Sequence, residues 1–157
     1  MRQMLDPHST AHVERSWQYL HSGPFASLIE LASAHCEPGL AVLEAVSPVV
    51  MRVPWRFGDF LFTRVPCERV SDAARRVAKE IERVAPWTEA ALQQAAEQGR
   101  LDSRLEGNDA LLVLRMMIMR VHSLLPLFPV MQALGRDECI HRLVAGGKAY
   151  ELDSLIG

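Results

Sequence analysis

The groups in this sequence best suited to chemistry are its six histidines and three cysteines. His8 and His12 stand four apart. On a helix both imidazoles leave the same face, a spacing that with Glu14 or a distant ligand can hold a metal. Near a chain terminus, two solvated histidines are the plainer expectation. His35 and Cys36 have the residue types of a base and a nucleophile, but sequence neighbours on a helix point in different directions and do not face each other. No Gly-x-Ser-x-Gly, HExxH or GxxxxGK[ST] motif occurs, and the carboxylates sit mainly beside Lys or Arg on charged helix faces. These observations give no catalytic set, no metal site and no cofactor, so the chain is not expected to be an enzyme.

A second kind of chemistry is apolar binding. Trp17, Phe25, Trp55, Phe57, Phe60, Trp87, Met116 and Met119 have the size and polarity to line an apolar cavity, with His122 as a polar group that orients a ligand. For each residue taken alone, ordinary core packing is the simpler reading. Arg115, Arg120 and His122 lie in the most apolar part of the chain, where an unpaired charge is expensive. They anchor a pocket, snorkel to the surface or pair across an interface, and the structural roles are the expectation. Gly146-Gly147 lacks the preceding strand and the spacing of a phosphate loop, so it reads as a break in the last helix.

Composition limits what elements position these groups. At 157 residues, with 49% apolar and 23% charged residues, the chain fits one globular domain spanning 1–157 that can bury a core. A net charge of -2 gives no general attraction to nucleic acid or an anionic membrane, so any such surface must be local. No secretory signal is visible, because Asp6, His8, His12, Glu14 and Arg15 interrupt the first twenty residues. The stretch from Ala110 to Leu134 is broken by Arg115, Arg120, His122 and two prolines, short of a membrane span. Cys36, Cys67 and Cys139 are scattered without a CxxC pair, which fits reduced thiols in the cytoplasm.

Periodicity predicts an all-α helical bundle of about eight helices. A helix capped by Ser9 or Thr10 runs to His21, a second runs from Pro24 to before Glu37, and a third from Leu40 to Val46 ends before Pro48. Residues 49–66 read as an irregular apolar connection or short helix, with a hairpin across Gly58-Asp59 as the alternative. Val70, Ala74, Val77, Ile81 and Val84 form one face of an amphipathic helix over Glu68–Ala85, with Arg69, Asp72, Arg76, Lys79, Glu80 and Arg83 elsewhere. The pattern resumes after Pro86 and stops at Gly99; Arg100–Gly107 reads as a loop. An apolar helix follows from Asn108 to about Leu125, and a last helix runs from Asp137 toward Leu155. Leu111, Leu112, Leu114, Met116, Met117, Ile118 and Met119 surround nearly the whole circumference of the apolar helix. Such a helix must be covered on all sides, and a second copy packed through 108–125 and 137–155 would supply that cover.

The run Ser22-Gly23-Pro24-Phe25-Ala26-Ser27-Leu28-Ile29-Glu30-Leu31-Ala32, followed by Glu37-Pro38-Gly39-Leu40, resembles the first helices of the C-terminal domain of TetR-type transcription regulators. Ala90–Leu101, then Asp102, a short loop and an apolar helix from Asn108, is similar to the stretch leading into that family's dimerising helices. No counterpart of the family's three-helix DNA-reading unit precedes His21. The resemblance implies a homodimerising, effector-binding regulatory domain for a small apolar ligand, with Trp17, Phe25, Trp55, Phe60, Trp87, Met116, Met119 and His122 as lining residues. It implies no direct nucleic-acid binding by this chain alone and no membrane association. The competing classes are a helical adaptor or antagonist without a small ligand and a small all-α enzyme.

Overall fold

The computed structural model describes residues 26–36, 40–50, 54–57, 66–121 and 123–156. The chain is all-α: among these residues there are seven helices and no strand. They are α1 (Ala26–His35), α2 (Leu40–Val50), α3 (Cys67–Ile81), α4 (Glu89–Ser103), α5 (Gly107–Met119), α6 (Leu127–Leu134) and α7 (Arg136–Ile156). The helix expected over Ser9–His21 lies outside the described residues, as do 51–53 and 58–65 of the ambiguous segment. Of the described residues of that segment, Val49 and Val50 end α2, and 54–57 are irregular apart from a single 3₁₀ residue at Phe57.

The amphipathic helix α3 organises the bundle. Its buried residues Val70, Ala73, Ala74, Val77, Ala78 and Ile81 recur at three and four, one continuous stripe. Three of the six are alanines, which thins that face, and α3 packs chiefly against α7 and α4. Glycines on both partners complete the close approach. A Cβ at Gly99 of α4 would lie 2.6 Å from Val77 Cγ2 and 2.9 Å from its Cα, nearer than van der Waals contact permits. A Cβ at Gly147 would come within 3.3 Å of Ser71 Oγ, and one at Gly146 within 2.6 Å of Met117 Sδ.

Three places differ from expectation, two of them because a glycine serves helix packing. Gly99 does not end α4, which continues to Ser103 and terminates at Arg104 in the left-handed conformation, φ 59°. Its small size fits the helix against α3, so the loop shrinks from 100–107 to the three residues before Gly107. Gly146-Gly147 likewise lies inside a continuous α7 and seats that helix against α3 and α5. Pro48 falls within α2, which runs to Val50. Pro48 has no N–H to return to the Glu44 carbonyl, and the complete burial of Val46 and Val49 on the same turn offsets that loss. Thr88 caps α4, its Oγ1 accepting from the Ala91 N–H at 3.3 Å.

The apolar helix α5 ends at Arg120, φ 67°, rather than near Leu125. Ala110, Val113, Leu114, Met116, Met117, Ile118 and Met119 are all buried. Their cover comes from α2, α3, α4, α6 and α7 of the same chain, so these residues need no second copy, while Leu111 stays 45% exposed. Its C-terminal carbonyls, which have no partners within the helix, are met by other elements. Trp55 Nε1–H donates to the Met117 carbonyl at 3.0 Å, and the Arg56 N–H to the Arg120 carbonyl at 2.8 Å. Arg142 Nη1–H donates to the Ile118 carbonyl at 2.7 Å, and Nη2–H donates to the Val49 carbonyl at the end of α2. Arg142 is fully buried, with Nε 2.9 Å from Glu138 Oε1 one turn back on α7. One guanidinium therefore ties three helices together.

Candidate functional site

The exposed side of α3 carries Arg75, Arg76 and Lys79, with Arg83 in the turn that closes the helix. These side chains stand opposite the buried stripe because the apolar residues claim the other face. Together with Asp72, Glu80 and Asp102 of α4 they line a cleft of about 390 Å³. Asp72 holds two guanidiniums at once, Arg75 Nη2 at 2.6 Å and Arg76 Nε at 2.7 Å. Burial pushes the Asp72 carboxyl up, but the hydrogen bonds and charges of Arg76 and Arg75 together outweigh it and hold the group below the ordinary carboxylate value. The Arg76 guanidinium is strengthened as a base, first by its hydrogen bond to Asp72, with a smaller contribution from the charge of Asp102. At the other end of the pairing, Arg69 reaches across to α4 and donates to the Arg104 carbonyl at 2.9 Å.

A second concavity, about 280 Å³, lies where α4, α5 and α6 meet. Ala96, Ala110, Leu111, Leu114 and Phe128 form its apolar part, and Gln93, Glu97, Arg100 and Asn108 are its polar groups. Arg100 is held by Glu97 at 2.5 Å and donates from Nη1 to the Leu105 carbonyl at 2.9 Å. That Arg100 pairing presses the Glu97 carboxyl down.

Of the aromatic and methionine set expected to line one ligand cavity, Trp55, Trp87, Met116 and Met119 are among the described residues. Trp17, Phe25, Phe60 and His122 lie outside the described residues. Met116 and Met119 are packed into the core. Trp55 lies under the Arg120 guanidinium, 3.9 Å from the ring centroid, and stacks on Phe57. Trp87 donates instead to the Gln132 carbonyl at 3.2 Å, beside Arg136. None of these four described residues lines either concavity. Arg115 donates to the Ser123 carbonyl and to the Leu125 carbonyl, at 3.0 Å for the latter, closing the connection after α5. Burial lowers its pKa. His35 Nδ1 turns back to the Leu31 carbonyl at 3.0 Å, within its own helix.

Among the described residues no group of three or more His, Cys, Asp or Glu side chains is placed to hold a metal. No helix among them is long and apolar enough to cross a membrane. Periodicity had put Asp72, Arg76, Lys79, Glu80 and Arg83 off the apolar face of their helix, but Asp102, placed in a loop, was not expected to join them. The extension of α4 past Gly99 brings it there.

A family model described as an anticodon binding domain matches residues 62–146, more than half of the chain. The matched span contains α3 through α6, the first part of α7, and both concavities. No curated protein and no solved structure matches the chain.

Proposed function

We propose, since the chain belongs to the anticodon binding domain family, that it is a non-catalytic helical RNA-binding module whose partner is tRNA. The observation that carries this reading is the family match itself, which begins just before the cation-bearing helix α3. The local positive side chains on α3 answer the electrostatic requirement in a chain whose net charge is -2. Sequence-specific readers of RNA address unstacked loop bases by hydrogen bonding and stacking. Arginine and carboxylate side chains on a rigid helix provide groups for both tasks. This reading departs from the expectation that the chain makes no direct nucleic-acid contact, and it places the protein with its partner in the cytoplasm. The test is fluorescence anisotropy with labelled tRNA at low salt. Saturable binding competed by an isolated anticodon stem-loop but not by duplex DNA is expected. Absence of tRNA binding, or equal competition by the duplex, refutes the reading.

A second reading, an effector-binding, homodimerising regulatory domain, is favoured by the apolar groove at Leu111, Leu114 and Phe128. It requires a small apolar compound to raise the melting temperature and a dimer by light scattering; a monomer that no compound stabilises removes it.

A further inference from the structure

We infer that Arg75, Lys79 and Arg83 form a track for consecutive phosphates of one single-stranded RNA segment, an inference that rests on the RNA-binding reading above. The three positions are four residues apart along α3 and its closing turn. At 1.5 Å rise per residue they repeat every ~6 Å, a step comparable with the separation of successive phosphates on an extended strand. All three side chains are exposed. Lys79 and Arg83 form no ion pair among the described residues. Arg75 shares the single Asp72 carboxylate with Arg76, so that group of three keeps one positive charge in excess.

The acidic members of the cleft decide between a strand and a free anion. A phosphate ion seated in the middle would face Asp72, Glu80 and Asp102 as well as the cations. A strand avoids that repulsion. Its phosphates follow the cationic line, and its bases turn amino groups toward the carboxylates, which accept from donors such as the cytosine amino group. A mixed-charge cleft beside a line of evenly spaced cations therefore suits a nucleotide chain better than it suits inorganic phosphate.

The experiment is tRNA binding by anisotropy between 50 and 200 mM KCl, for the full chain and for the triple variant Arg75→Gln, Lys79→Gln, Arg83→Gln. Three single-strand phosphate contacts give a log–log salt slope of about -2, so wild-type affinity should fall about 20-fold over this range. The triple variant, with an unchanged circular-dichroism melt, should bind at least tenfold more weakly at 50 mM with most of the salt dependence gone. The charge-preserving pair Arg75→Lys, Arg83→Lys should keep the slope. Inorganic phosphate at constant ionic strength should leave tRNA bound. Wild-type binding with a slope unchanged in the triple variant overturns the track and leaves the RNA-binding reading standing. Displacement by inorganic phosphate assigns the cleft to a free anion and overturns it too. Failure of the wild type to bind tRNA overturns both.

Discussion

Replacing Arg142 by methionine should destabilise the protein by about 3 kcal/mol. The side chain is fully buried, and its guanidinium serves the carbonyls of Ile118 and Val49. Methionine preserves length and apolar contact but donates nothing, so two carbonyls at the ends of α5 and α2 lose their donors at roughly 1–3 kcal/mol each. Glu138 also loses its contact with Arg142, but its side chain is 22% exposed to water, so this adds little. Part of the loss is returned because a guanidinium no longer has to be desolvated, a cost that sometimes makes buried ion pairs dispensable. The net of these contributions is ~3 kcal/mol, which for a chain of this size lowers the melting temperature by about 6–12 °C. Urea titration followed by circular dichroism gives the free energy, and an unchanged m-value would show that the unfolded state is not involved. Glu138→Gln is the companion variant, expected to cost less than Arg142→Met because its amide oxygen still accepts from Arg142 Nε. A loss below about 1 kcal/mol for Arg142→Met would show that the clamp across α2, α5 and α7 does not hold the fold, and would refute the argument.

Other variants separate competing effects. Gly99→Ala gains helix propensity yet forces a Cβ to within 2.6 Å of Val77, so a net loss of about 1–3 kcal/mol is expected in the same titration. Gly147→Ala meets Ser71 Oγ at 3.3 Å, with Ser71 Cα at 3.5 Å and Ala74 Cβ at 3.7 Å in ordinary contact, and should be neutral or stabilising by up to about 1 kcal/mol; equal effects at the two sites would contradict the packing described for α4. Burial pushes the Cys139 thiol up to about 12, so a thiol reagent at pH 8 should leave it unmodified in the native protein and reach it only in denaturant. Mass spectrometry of the native adduct settles this, with Cys139 labelling as the adverse result. The lowered Asp72 carboxyl contributes stability that is fully present above its ordinary pKa of 3.8 and is lost as pH falls below that value. Asp72→Asn should accordingly cost about 0.5 kcal/mol at pH 7 and nothing near pH 2. A cost that persists at pH 2 would place the effect in packing instead of charge.

Much of the helical class was written in local pattern. The stripe from Val70 to Ile81 is set by spacing three and four apart, and such a stripe can bury only one face, which leaves Arg75, Arg76, Lys79 and Arg83 outside. Thr88, Pro66 and Pro126 stand immediately before α4, α3 and α6, but Pro126 reads as a break in the apolar helix, so α6 was not anticipated. Glycine carries no such local message. Gly99 reads as a stop and Gly146-Gly147 as a break, yet all three stand inside helices, and at Gly99 and Gly146 it is Val77 and Met117 that lie where a Cβ would project. Local propensity disfavours them by about 1 kcal/mol each, and only a neighbouring helix reverses that preference. The cleft follows from the same override, since Asp102 joins the α3 cations only when α4 continues beyond Gly99. Likewise the apolar circumference of α5 announced that it would be covered, while the identity of the cover depended on how five other helices of the chain folded around it. Burial demands are local properties of a sequence; the partners that satisfy them are long-range, and only the tertiary structure selects them.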